Sequence, residues 1–231
     1  MSRHWFLAFA IAALAVPTQA ATTRTLADEV PAAGIERLQL ESGVGDVEIV
    51  ASDRDTVALE VVLKPRRGGI FSSMTRAERE VDEARLEVTT DRGTLSLSIA
   101  SSSSERRFEE RWSVQVPARL ALDLTVGVGD VQVRGAAGGV TLESGVGDVL
   151  LGVAGGDVAL EVGVGDVAVT APADGYGRVD CSGGVGEGRV TVRGTTVEGG
   201  GFVGHSTTWK GDGPARLKLE VGVGDARVTL E

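Results

Sequence analysis

Few residues of this chain could attack a substrate, exchange a proton or hold a metal near neutral pH. Beyond the first twenty positions there is one histidine, His205, and one cysteine, Cys181. A Ser-His-Asp triad would have to use His205. No Gly-x-Ser-x-Gly elbow accompanies it, because Cys181-Ser182-Gly183-Gly184 has the wrong spacing. A zinc site would have one imidazole, one thiolate and otherwise carboxylates, a poor set by ligand count. Cys181 falls in the alternation Val179, Cys181, Gly183, which suits a small buried residue. No catalytic residue and no cofactor is assigned, and the chain is expected not to be an enzyme.

What remains is carboxylates, and their spacing is regular. Asp46, Asp130, Asp148, Asp166 and Asp225 each close a Gly-Val-Gly-Asp tetrapeptide, and Glu187 closes Gly184-Val185-Gly186-Glu187. The three central copies recur every 18 residues. The same period leads from Val185 to Val203, followed by Gly204 and His205, so His205 is expected where other copies hold Asp. The predicted column is Asp46, Asp130, Asp148, Asp166, Glu187, His205 and Asp225. Eighteen residues is also the coil of a calcium-binding β-roll, built from two nonapeptides. On that reading Asp130, Asp148, Asp157 and Asp166 are the Ca²⁺ candidates. Against it, the Asp follows the second Gly one residue early, and most half-coils lack a counterpart of Asp157. Stacked carboxylates repel, and backbone N–H donors at a Gly-rich turn are one way to offset them. A phosphate loop is excluded, because no helix follows and the acid would repel the ligand.

The flanks show what positions this column. Leu120, Leu122, Leu124 and Val126 alternate with Ala121, Asp123 and Thr125, the period of a strand with one buried face. After Asp130 the alternation resumes at Val131 and Val133, so side-chain parity switches at the Gly-Asp pair. The tetrapeptide is therefore a corner between two inward-facing strands, and its central Val is expected in an interior column. A weaker turn falls at Gly138-Gly139 and at Gly155-Gly156-Asp157. Identical coils laid on one another satisfy this pattern, with like residues about 4.8 Å apart along the axis. The fold class is all-β: a β-solenoid, single-stranded β-helix-like, with coils of about 18 residues. Residues 51–119 depart from the motif. Within them, 74–84 is rich in helix formers, with Ala77, Val81 and Ala84 on one side, and reads as a short flanking helix.

Composition agrees. There are 33 glycines, 5 phenylalanines and 1 tyrosine, which suits many short strands and tight turns without large aromatic anchors. The formal net charge of −10 argues against nucleic acid and anionic lipid as partners. Arg3, the apolar run from Trp5 to Val16 and the small-residue pattern at Thr18-Gln19-Ala20 read as a secretory signal cleaved after Ala20. That run is short of the roughly 20 apolar residues that cross a bilayer as a helix. No later segment is long and apolar enough to span one. The organisation is thus a signal peptide at 1–20 and a single β-repeat domain at 21–231, irregular over 21–111 and regular over 112–231. With one cysteine no internal disulfide forms, so packing and backbone pairing must hold the fold.

The stretch from Trp112 to Val192 resembles the bacterial putative-adhesin, or toastrack, repeat domain family. The resemblance rests on Val114-Gln115-Val116-Pro117, on Leu122-Asp123-Leu124, and on repeats of the Gly127–Val133 kind. It implies a β-helical fold and a cell-envelope setting, and it supplies no catalytic residues. Some relatives resemble sensing modules of envelope-stress systems.

The expected function is a non-enzymatic, exported envelope protein, periplasmic or secreted, that acts as an adhesin-like binding or structural module. Its partner would be an envelope protein or a surface polymer. The alternatives are an accessory or sensor component of an envelope-stress system, or a Ca²⁺-stabilised β-roll. Contact candidates are Arg66 and Arg67 in a basic loop, with Phe202, His205 and Trp209 where the pattern breaks. The last strand, at 226–230, is expected at one end of the stack, open to end-to-end self-association.

Overall fold

The computed structural model describes residues 23–66, 74–101, 106–197 and 203–231. Residues 1–22, where the signal peptide is expected, Arg67 and Phe202 lie outside the described residues. The irregular N-terminal part contains β1 (Arg24–Pro31), β2 (Arg37–Ser52), β3 (Thr56–Pro65), α1 (Met74–Glu83), β4 (Arg85–Asp91), β5 (Thr94–Ala100) and β6 (Phe108–Pro117). Proline ends β1, β3 and β6, where a residue without an N–H costs the ladder nothing. The regular part runs β7 (Ala121–Val128), β8 (Val131–Ala136), β9 (Val140–Val146), β10 (Val149–Val153), β11 (Val158–Val164), β12 (Val167–Ala171), β13 (Tyr176–Val185) and β14 (Gly188–Val192). It ends with β15 (Thr195–Val197), β16 (Val203–Lys210), β17 (Ala215–Val223) and β18 (Ala226–Leu230).

The strands form two faces. On one, the order is β4, β5, β2, β7, β9, β11, β17, β13, β16. On the other it is β1, β3, β6, β2, β8, β10, β12, β18, β14, β15. Pairing is parallel through the middle of both faces and antiparallel at their margins. Each coil passes from the first face to the second at its Gly-Val-Gly-Asp corner, which is the solenoid the alternation requires. Inward residues stack in register: Leu38, Leu122, Val140, Val158, Leu217 and Val179 form one buried column. Burying each such side chain contributes about 1.5–3 kcal/mol before chain entropy is charged against it.

The order in space differs from the order in sequence at both ends. The coil of β2 lies between β5 and β6 on one side and β7 and β8 on the other. The last coil, β17 with β18, enters between β11–β12 and β13–β14. The final strand is therefore interior, not an open end. Its Ala226–Leu230 backbone has parallel neighbours on both sides, and the Glu231 N–H donates to the Ala171 carbonyl at 3.0 Å. The reason is that β15 and β16 fold back antiparallel over β14 and β13 and close that side. The last coil occupies the place next to β11 and β12. Like coils offer equivalent registers, so periodicity alone does not choose among them.

The two ends of the interior are filled by polar side chains. Near the N-terminal end Glu110, 1% exposed, accepts hydrogen bonds from Trp112 Nε1 at 2.8 Å and Ser42 Oγ at 3.0 Å, and pairs with Arg106 at 3.2 Å. Outside it, α1 packs on β3 and β6. The Arg24 guanidinium donates to the carbonyls of Val81 and Ala84, groups a helix end leaves without partners. Near the C-terminal end the interior is filled by His205.

Candidate functional site

The corners build one continuous row. The Asp130 N–H donates to Asp46 Oδ1 at 3.3 Å, and the Asp148 N–H to Asp130 Oδ1 at 3.0 Å. Asp166 donates likewise to Asp148 at 2.9 Å, Asp225 to Asp166 at 2.8 Å, and Glu187 to Asp225 at 3.0 Å. Each Asp carboxylate thus accepts the backbone N–H of the next acid, and this offsets the repulsion of the stack. The column runs Asp46, Asp130, Asp148, Asp166, Asp225, Glu187. Asp225 stands before Glu187 because its coil is inserted.

Both glycines of the motif are dictated by how the corners nest. The second glycine has positive φ: +145° at Gly129, +147° at Gly147 and +148° at Gly165. A Cβ on any of these would lie 2.0 Å from the carbonyl oxygen of the matching glycine one coil away. At the first glycine, Gly127 or Gly145, the same approach would be 2.4 Å. Only a residue without a side chain allows backbone to sit on backbone this closely.

The valine between them does not form the interior column expected from its parity. Val128, Val146, Val164, Val223 and Val185 are 46, 47, 47, 48 and 40% exposed. The inside of the bend is filled by the residue before the motif, Val126, Ser144, Val162 or Val221, and by the residue after it, Val131, Val149, Val167 or Ala226. The tetrapeptide therefore runs round the outside and turns its valine to solvent. The valines are in register from coil to coil: Val44, Val128, Val146, Val164, Val223, Val185, with Val203 beyond.

Acids flank this apolar row on both sides. Two residues after each valine comes the corner carboxylate. Three residues before it stand Glu41, Glu143, Glu161 and Glu220, all on the outer face. A groove of about 570 Å³ runs beside the corner carboxylates, with Asp130, Asp148 and Asp166 along it, Leu150 in its lining, and Arg111 and Arg227 contributing further lining. Asp46 pairs with Arg111 at 3.5 Å, Asp225 with Arg227 at 2.6 Å, and Glu187 with Arg189 at 3.4 Å. Among the described residues, Asp130, Asp148 and Asp166 have no ion-pair partner. The middle of the row is thus its most negative part.

The remaining candidates lie elsewhere. His205 is not in the acidic column and is not a surface residue: it is 2% exposed on β16, opposite Gly183. Its ring fills the space that side chains on Gly183 and Gly188 would occupy. The 18-residue step misplaced it because β16 runs antiparallel to β13, so position along the chain no longer maps to position in the coil. Trp209 is half-buried and packs on the core edge. The Arg66 N–H donates to the Arg107 carbonyl beside the N-terminal margin. Cys181 is buried, and burial pushes its thiol up to about 11, so it stays protonated and unreactive near neutral pH. Asp157 sits apart from the corner, its Oδ1 accepting the Arg216 N–H at 2.8 Å. Among the described residues no three carboxylate, imidazole or thiol groups converge as metal ligands would. The calcium reading gains nothing from this geometry.

The solenoid, its repeated corner and its outward row define an all-β class of protein with a periodic surface. No family model matches the chain, and no curated protein does either. Among solved structures, a protein of Clostridium sporogenes described as a putative cell adhesion protein superposes with a TM-score of 0.59. The identity is 18%, over 91% of this chain and all of the other. A protein of Bacteroides fragilis described as a putative adhesin covers 90% of this chain and 97% of its own, at 14% identity and a TM-score of 0.33. The first likeness shows a shared fold, and the second is too loose to carry an argument.

Proposed function

We propose that this chain is an exported, non-enzymatic, adhesin-like binding module of the cell envelope. The observation that carries the reading is the corner row, in which consecutive coils present one valine and one carboxylate in register along the whole stack. A rigid solenoid spends its sequence on repeating a surface, and such surfaces suit extended partners. Cys181 and His205, the cysteine and the histidine of the described residues, are buried in the interior. The fold shared with a protein described as a putative cell adhesion protein supports the same reading. The basic start, apolar run and small-residue site at the N-terminus support export.

The test is to express the full chain in a bacterial host, fractionate the cells and sequence the N-terminus of the product. The expected product begins at Ala21, lies outside the cytoplasm, and adheres when purified to intact cells or isolated envelopes. A chain that keeps Met1 in the cytoplasm, or shows no adherence above an unrelated acidic protein, overturns the proposal.

A further inference from the structure

The adhesin-like reading leaves the partner open, and the inference drawn here rests on that reading. We infer that the valine row is a docking surface for a basic amphipathic polypeptide segment. The row holds Val44, Val128, Val146, Val164, Val223 and Val185 on successive coils. Five intervals of about 4.8 Å make it about 24 Å long. Isolated exposed valines are ordinary, but a contiguous in-register row is a patch of the kind that marks interaction sites.

Charge complementarity selects the occupant. The apolar row is bordered by Glu143 and Glu161 on one side, where Glu220 is already paired with Lys218 at 2.8 Å, and by Asp130, Asp148 and Asp166, without ion-pair partners among the described residues, on the other. A second copy of this chain would set acid rows against acid rows, so self-docking along this face is disfavoured. A polyanionic polymer is disfavoured for the same reason. A partner must present an apolar stripe with cations on both flanks. An extended strand shows a single line of side chains on each face, whereas an amphipathic helix carries apolar residues at i, i+3, i+4 and i+7 with basic residues on both borders. About 16 helical residues at 1.5 Å each match the length of the row. The groove beside Asp130, Asp148 and Asp166 gives basic side chains on one flank a recess to enter.

The test is calorimetric titration of the full chain with an 18-residue leucine–lysine peptide whose leucines form one helical stripe. The control has the same composition, scrambled so that no stripe exists. The variant carries Val128→Thr, Val146→Thr and Val164→Thr, which keeps β-branched shape and removes apolar surface. The striped peptide is expected to bind, the scrambled one at least tenfold more weakly. The variant is expected to lose at least tenfold for the striped peptide with its melting temperature unchanged. Equal binding of both peptides, or an unaffected variant, would mean diffuse charge attraction and overturn the inference. So would a wild-type dimer, seen by light scattering, that the three substitutions abolish. If wild type and variant adhere equally to cell envelopes, the docking site is wrong while the adhesin-like function stands.

Discussion

The backbone N–H of Asp166 donates to Oδ1 of Asp148 at 2.9 Å, across one coil of the solenoid. The same bond recurs along the stack, so each acid between Asp46 and Glu187 serves as acceptor for the next coil and donor to the previous one. Replacing Asp148 by Ala removes an acceptor and leaves the Asp166 N–H to solvent. The expected cost is about 1 kcal/mol, read by urea unfolding. Asp148→Asn keeps an Oδ1 acceptor and is expected to cost less than half of that. If Asn is as damaging as Ala, charge and not the hydrogen bond is the stabilising feature.

Gly147 separates a conformational requirement from a steric one. At φ +147° with a carbonyl 2.0 Å from a would-be Cβ, Gly147→Ala violates both and is expected to cost at least about 3 kcal/mol. Gly194, at φ +80° with nothing within 4 Å, violates only the first, and Gly194→Ala is expected to cost about 1 kcal/mol. Equal costs for the two variants would show that the corners do not nest backbone on backbone.

The motif made part of this readable in the sequence and hid the rest. The parity switch between Val126 and Val131 located the corner, and the alternation around it located the buried faces. The outward valine was also there to be read. Two inward strands that end at Val126 and resume at Val131 leave four residues to round the bend, and a bend has more room outside than inside. The place of His205 was not readable by counting, because β16 reverses direction on β13. Nor was the order of coils. The inward residues Leu217, Leu219 and Val221 of β17 nearly repeat Val158, Leu160 and Val162 of β11, so the repeat alone does not seat the last coil, and the place beside β11 is left to it by the closure of the other side by β15 and β16. The burial of Glu110 had one sign in the sequence, its parity with Phe108, Trp112 and Val114, but its partner Ser42 is brought to it only by the fold.

Glu110 is the acceptor on which the N-terminal end of the interior depends. Glu110→Ala would leave the Trp112 indole N–H buried without a partner and release Arg106. A loss of about 3 kcal/mol is expected, with Trp112 fluorescence shifting as its surroundings become wetter. Ser42→Ala removes one bond of the same network and should cost about 1 kcal/mol. A fully stable Glu110→Ala protein would contradict this role.

Tyr176 is the one tyrosine of the chain, so its ionisation can be followed without interference. Its hydroxyl donates to the Gly156 carbonyl at 2.9 Å. Burial, with a smaller contribution from Asp157, pushes it from an ordinary 10.0 to about 12. The folded state therefore holds the proton more tightly than the unfolded state does. That contribution to stability is fully present below pH 10.0 and is lost as pH rises to about 12. Spectrophotometric titration should show a late tyrosinate transition in the folded protein and an ordinary one in denaturant. Tyr176→Phe should flatten stability over the same alkaline range. A native transition at the ordinary value would contradict the burial.

The central claim is that the corners form one uninterrupted row, with Val223 seated between Val164 and Val185. Pairwise cysteine cross-linking tests it most directly, in a Cys181→Ala background. Paired strands lie about 4.8 Å apart, within the reach of a disulfide, whereas coils two apart do not. Under mild oxidation Val164→Cys with Val223→Cys should cross-link, and Val164→Cys with Val185→Cys should not. Efficient cross-linking of the second pair, with the first remaining free, would show that the coils follow sequence order and would contradict the account.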